Sequence, residues 1–103
     1  MRIRKLLLAA AAAAPLAAPA QTPDALYLRS LAATCANCHG TNGHATSGSA
    51  VPGLAGMPRE YMLRQLAAFR DGSRPATVMH QIVKGYSQAQ LDQIAGYFAA
   101  QKK

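Results

Sequence analysis

The chain is poor in the residues that usually stabilise small proteins. Its 103 residues include no tryptophan, two cysteines, two phenylalanines and only four acidic residues. Two cysteines cannot build a disulfide-dense scaffold. No Gly-x-Gly-x-x-Gly follows a strand pattern, so the chain has no turn of its own for a dinucleotide or flavin. Two-residue alternation of apolar and polar residues persists nowhere, which argues against a half-buried sheet. With 50% apolar residues, low-complexity disorder is also excluded.

One excess stands out. Eleven Lys and Arg face four acids, a formal net charge of +7 that ordinarily suggests a nucleic-acid or membrane partner. The total mixes two unlike segments. Met1 to Ala20 reads as a secretory signal peptide: Arg2, Arg4 and Lys5 open it, Leu6 to Ala14 is an unbroken apolar run, and Ala18-Pro19-Ala20 offers small residues for cleavage before Gln21. From Leu6 to Ala20 the segment is 15 residues, short of the ~20 that span a bilayer. Residues 21–103 then carry eight cations against four acids, and those cations are scattered. Arg59, Arg64, Arg70 and Arg74 either steer an acidic partner or are solvated surface charges. A nucleic-acid stripe is excluded. The expectation is one exported, periplasmic domain over 21–103.

That domain is short of core. Only 21 of its 83 residues are Leu, Ile, Val, Met, Phe or Tyr. Chains of this size usually recruit a disulfide, a metal or a cofactor.

The pattern predicts an all-α fold of about four short helices. Asp24 is placed to cap a helix running to about Ala36, with Leu28, Leu31 and Ala32 on one face. Gly40 to Ser49 has no periodicity and reads as a flexible connection or as a loop facing a partner. Pro58 suits a first helical position and Gly72 the end of that helix, with Met62, Leu66 and Phe69 at helical spacing between them. Ala76 to Val83 suits a short helix closed by Gly85. Ser87 and Gln90 form a capping box, followed by Leu91, Ile94, Ala95 and Phe98 at i, i+3, i+4 and i+7.

Cys35-Ala36-Asn37-Cys38-His39 carries the chemistry. Cys-x-x-Cys-His is the signature of covalent c-type haem attachment: two thiols three positions apart add to the two vinyl groups, and the adjacent imidazole becomes the proximal iron ligand. The macrocycle would also supply the apolar centre that the side chains lack. A Cys35–Cys38 disulfide would close a very small ring, a thioredoxin-like pair needs a βαβ setting, and a zinc site from Cys35, Cys38, His39 and His44 lacks finger spacing. For the second axial ligand the candidates are Met57, Met62, Met79, His44 and His80. Met62 lies within an apolar face and His44 is very close to His39. Position favours Met79, with His80 next.

The chain around Cys35 to His39 resembles a class I c-type cytochrome. The segments Leu54-Ala55-Gly56, Gln65-Leu66, Phe69-Arg70-Asp71-Gly72, Thr77-Val78-Met79 and Lys84-Gly85-Tyr86-Ser87 are similar, more narrowly, to the cytochrome subunit of flavocytochrome c sulfide dehydrogenases. The resemblance implies one covalent haem c on Cys35 and Cys38, with His39 and Met79 as iron ligands. It implies that the Pro52 carbonyl accepts the proximal imidazole proton and that the first and last helices cross. It further implies an electron carrier rather than an enzyme, with an FAD-containing flavoprotein as donor and a soluble cytochrome or similar acceptor. His80 stands where a small residue is expected; it either competes with Met79 for iron at alkaline pH or points to solvent, and the second reading is preferred. Met57 stands where glutamine is common.

Overall fold

A computed structural model describes residues 21–103. The signal-peptide reading of Met1 to Ala20 lies outside the described residues. Those described form four α-helices and no strand: α1 Pro23–His39, α2 Arg59–Asp71, α3 Met79–Lys84 and α4 Gln88–Ala99, with a 3-10 turn at Thr41–Gly43.

Thr22, not Asp24, caps α1. Its side-chain oxygen accepts from the backbone N–H of Ala25 at 3.1 Å. Pro23 then enters the first turn without losing a bond, and Asp24 sits inside that turn, where its charge meets the positive end of the helix. The helix also runs past Ala36 to His39, so both cysteines and the histidine are helical.

Pro58 precedes α2 as its cap residue, and its carbonyl accepts from Met62 N–H at 3.0 Å. Gly72 ends α2 in the left-handed conformation. The third helix starts at Met79 rather than Ala76. Thr77 and Val78, two β-branched residues in succession, stay out of helical geometry until that point. The Ser87–Gln90 capping box forms in both directions, at 3.1 and 2.9 Å.

The core is built where α4 meets α1 and α2. Ala32, Met62, Ile94, Ala95 and Phe98 form one cluster, in which Ala95 and Phe98 have no exposed surface. Ala32 and Ala95 are small enough to let the first and last helices approach closely, while Phe98 fills the volume between the elements. Tyr97 packs edge-on against Phe98 at 5.3 Å between ring centres. The third helix packs on α2, whereas α1 and α3 are not a closely packed pair.

Candidate haem-binding site

At the end of α1, Cys35 and Cys38 lie three residues apart on a helix, so their side chains share a face. Both are free thiols; Cys35 is half-buried and Cys38 exposed. Burial pushes the Cys35 thiol above its ordinary pKa. A hydrogen bond with Thr34 opposes that shift, and the neighbouring Cys38 adds to it.

His39 follows and is buried, with 9% of its surface exposed. Its Nδ1 lies 2.7 Å from the carbonyl oxygen of Pro52. A carbonyl only accepts, so Nδ1 carries the proton and Nε2 keeps its lone pair, without a protein partner among the described residues.

The loop after His39 explains how Pro52 reaches that position. Gly40 turns the chain with φ 93° and ψ 155°, a conformation essentially restricted to glycine. A Cβ there would lie 2.1 Å from the carbonyl oxygen of His44. The Gly43 carbonyl accepts from Leu54 N–H at 2.8 Å and Ala55 N–H at 3.1 Å, pinning the segment that carries Pro52. Tyr97 donates its hydroxyl proton to Asn42 Oδ1 at 2.6 Å. His44 Nε2 donates to the Lys102 carbonyl at 2.6 Å. The first half of the Gly40–Ser49 segment is therefore braced, and only its far end fits the reading of a loose connection.

The other candidate ligands separate clearly. Met62 is buried in the core and Met57 packs against it. His44 is engaged by the Lys102 carbonyl. Met79 is the first residue of α3 and half-buried. His80 departs from the expectation of a solvent-facing ring: its Nδ1 is enclosed and unpartnered, at an open concavity of about 320 Å³ shared with Arg70, Arg74 and Lys84. Among the described residues no three His, Cys, Asp or Glu side chains gather around a point that would hold a metal ion.

These features fit a covalently held haem. Two free thiols and an imidazole lone pair are presented by one helix end, and α3 is not closely packed onto that helix. Val78, just before α3, and Ile82 within it keep 54% and 39% of their surfaces exposed, apolar area that an apolar macrocycle is suited to cover.

All-helical architecture with Cys-x-x-Cys-His closing the first helix defines a c-type cytochrome. The family model for cytochrome c matches residues 29–101, and the chain belongs to that family. It is 43% identical over 68 residues to the cytochrome subunit of sulfide dehydrogenase from Chlorobaculum tepidum, covering 66% of this chain and 60% of that one. It is 39% identical to the thiosulfate dehydrogenase electron acceptor of Thiomonas intermedia, over 69% of this chain and 33% of the relative. With cytochrome c4 of Pseudomonas aeruginosa the identity is 37%, over 77% and 39%. The solved structure of Acidithiobacillus ferrooxidans cytochrome c4 superposes with a TM-score of 0.59 at 36% identity, over 64% of this chain and 37% of that one. The chain thus spans between a third and three fifths of the length of these relatives. It is a class I c-type cytochrome, and the family implies covalently bound haem c.

Proposed function

We propose that residues 21–103 form a single-haem domain of the periplasm, exported by the leader Met1–Ala20, that serves as the electron-accepting subunit of a sulfide-oxidising flavoprotein. Cys35 and Cys38 hold the group through thioether bonds. His39 Nε2 and the Met79 sulfur would ligate its iron. When bound, haem supplies a one-electron iron couple.

The observation that carries this reading is the Pro52–His39 bond beside two free thiols. By holding the proton on Nδ1, the Pro52 carbonyl fixes the ring tautomer, directs Nε2 outward and raises its donor strength. A Met79 thioether on the iron would stabilise the ferrous state and raise the potential. With both positions filled by protein groups, the chain changes charge without exchanging ligands. Substrate oxidation, the FAD and any redox disulfide belong to the partner, and a soluble cytochrome takes the electron onward.

A second reading draws on the relatives named cytochrome c4: a free-standing shuttle to a terminal oxidase or reductase. Expression with haem-maturation machinery tests both. Covalent haem and a near-infrared thioether–iron band in the ferric protein are expected. Copurification with an FAD protein under mild conditions supports the subunit; recovery only as an isolated monomer favours the shuttle. Absence of covalent haem, or ready carbon monoxide binding by the ferrous form, overturns the ligand assignment.

A further inference from the structure

We infer that Tyr86 is a positioning residue that holds Met79 in place relative to the haem-bearing end of α1, through its hydroxyl on Thr34. The inference rests on the reading of Met79 as an axial ligand.

The third helix has little means of placing itself. Six residues are far too few for a helix to persist unaided. Its cap residue, Val78, makes no side-chain capping bond, so the end that carries Met79 has no local fastening. Val83 is buried and the helix lies on α2, yet it is not closely packed against α1. Its distance from the thiols must be set by something beyond its own contacts.

Tyr86 is that link. The chain leaves α3 through Gly85, and Tyr86 N–H bonds back to the carbonyl of Val83 at 3.3 Å, so this residue moves with the helix. Its hydroxyl meets Thr34 Oγ1 at 2.5 Å. Thr34 spends its only hydroxyl proton on the carbonyl of Leu31 at 2.8 Å, so Tyr86 must be the donor and Thr34 the acceptor. Thr34 immediately precedes Cys35, and the two side chains lie 3.9 Å apart. From the other side Arg70, near the end of α2, donates to the Tyr86 carbonyl at 2.8 Å and to Gln88 Oε1 at 3.2 Å.

One residue is therefore held from α1 and α2 at once. Among the described residues, Tyr86 to Thr34 is the sole side-chain hydrogen bond joining α1 to residues 79–87. The other bond between α1 and the C-terminal half runs from Gln90 Nε2 to Tyr27 at 2.9 Å, two turns before Cys35 and onto α4. Tyr27 thus supplies a control that loses an interhelical bond without touching α3.

The experiment uses the haem-loaded protein and titrates the ferric form with imidazole, which binds iron only when Met79 has left. Loss of the near-infrared thioether band reports the exchange, and apparent affinity scales with the fraction of open protein. Tyr86→Phe and Thr34→Val are each expected to tighten imidazole binding about two- to tenfold, the weight of one hydrogen bond. Combining them should add little, because both remove the same bond. Thr34→Ser, which keeps the acceptor, should bind imidazole as wild type does, and so should Tyr27→Phe. Wild-type affinity in Tyr86→Phe overturns the proposal, as does an equal change in Tyr27→Phe, which would mark a loss of general stability. If Thr34→Val fails to take up haem, Tyr86→Phe against Tyr27→Phe still decides. A wild-type protein without the band refutes the Met79 reading itself, and the positioning role falls with it.

Discussion

Replacing Gly40 with alanine probes the turn that delivers Pro52 to His39. The added Cβ would meet three backbone atoms: the carbonyl oxygen of His44 at 2.1 Å, its carbon at 2.5 Å and Ala45 N at 2.8 Å. None of these can rotate away as a flexible side chain does. A non-glycine residue at φ 93°, ψ 155° costs about 1–3 kcal/mol, and forcing atoms into an occupied space costs about as much again. The sum is roughly 2–6 kcal/mol, against a total of about 4–12 for a domain of this size. Gly48 supplies the comparison within the same loop. Its φ is also positive, at 78°, but a Cβ there has nothing within 4 Å, so Gly48→Ala should cost only about 1–2 kcal/mol. Urea unfolding of the loaded proteins, followed by far-ultraviolet circular dichroism, measures both. At a slope of roughly 1 kcal/mol per molar, Gly40→Ala lowers the midpoint by about 2 M or more. Equal midpoints for the two variants would refute the reasoning, because the clash with the His44 backbone would then carry no energy.

Phe98 should be the most costly large side chain to truncate. Fully buried between helices, it loses about 3–5 kcal/mol on Phe98→Ala, which a thermal melt will show as loss of most cooperative unfolding. Before haem attachment, the two thiols should differ towards a maleimide at neutral pH, with exposed Cys38 reacting faster than Cys35; mass spectrometry of timed samples reads the order. Asp71 is held below the usual aspartate pKa by the hydroxyl of Ser73 and then by its backbone N–H. The stability this gives is present above the unfolded aspartate value of about 3.9 and lost as pH falls through the lower folded value. Asp71→Asn should therefore lose less stability than wild type between pH 5 and pH 2; urea midpoints across that range check it.

The legible parts of the molecule are those written in neighbouring residues. The Ser87–Gln90 box and the apolar face from Leu91 to Phe98 needed only spacings of three and four, and both formed. Cys35 to His39 was legible because the attachment chemistry demands that spacing. Where two nearby residues competed for one task, local reading failed: Thr22 and Asp24 both suit a cap, and Pro23 between them decided for Thr22. The start of α3 was displaced because helical periodicity does not register two β-branched residues in a row. The braces of the site were invisible for a different reason. Thr34 and Tyr86 are 52 residues apart, Asn42 and Tyr97 are 55, and His44 and Lys102 are 58. Each of these polar residues has many possible partners, and only the folded chain selects one. The Pro52–His39 bond came from resemblance alone, since no rule of spacing points a carbonyl at an imidazole 13 residues away.

The dependence of the core on α4 has a consequence in time. Leu91, Ile94, Ala95 and Phe98, which close the interior, and Lys102, which braces the turn after His39, all lie far along the chain from Cys35 and Cys38. A chain made from its N-terminus presents Cys35 and Cys38 long before those residues exist. Closure of the core therefore waits on residues made well after the two thiols, and until then Cys35 and Cys38 stand on an open polypeptide.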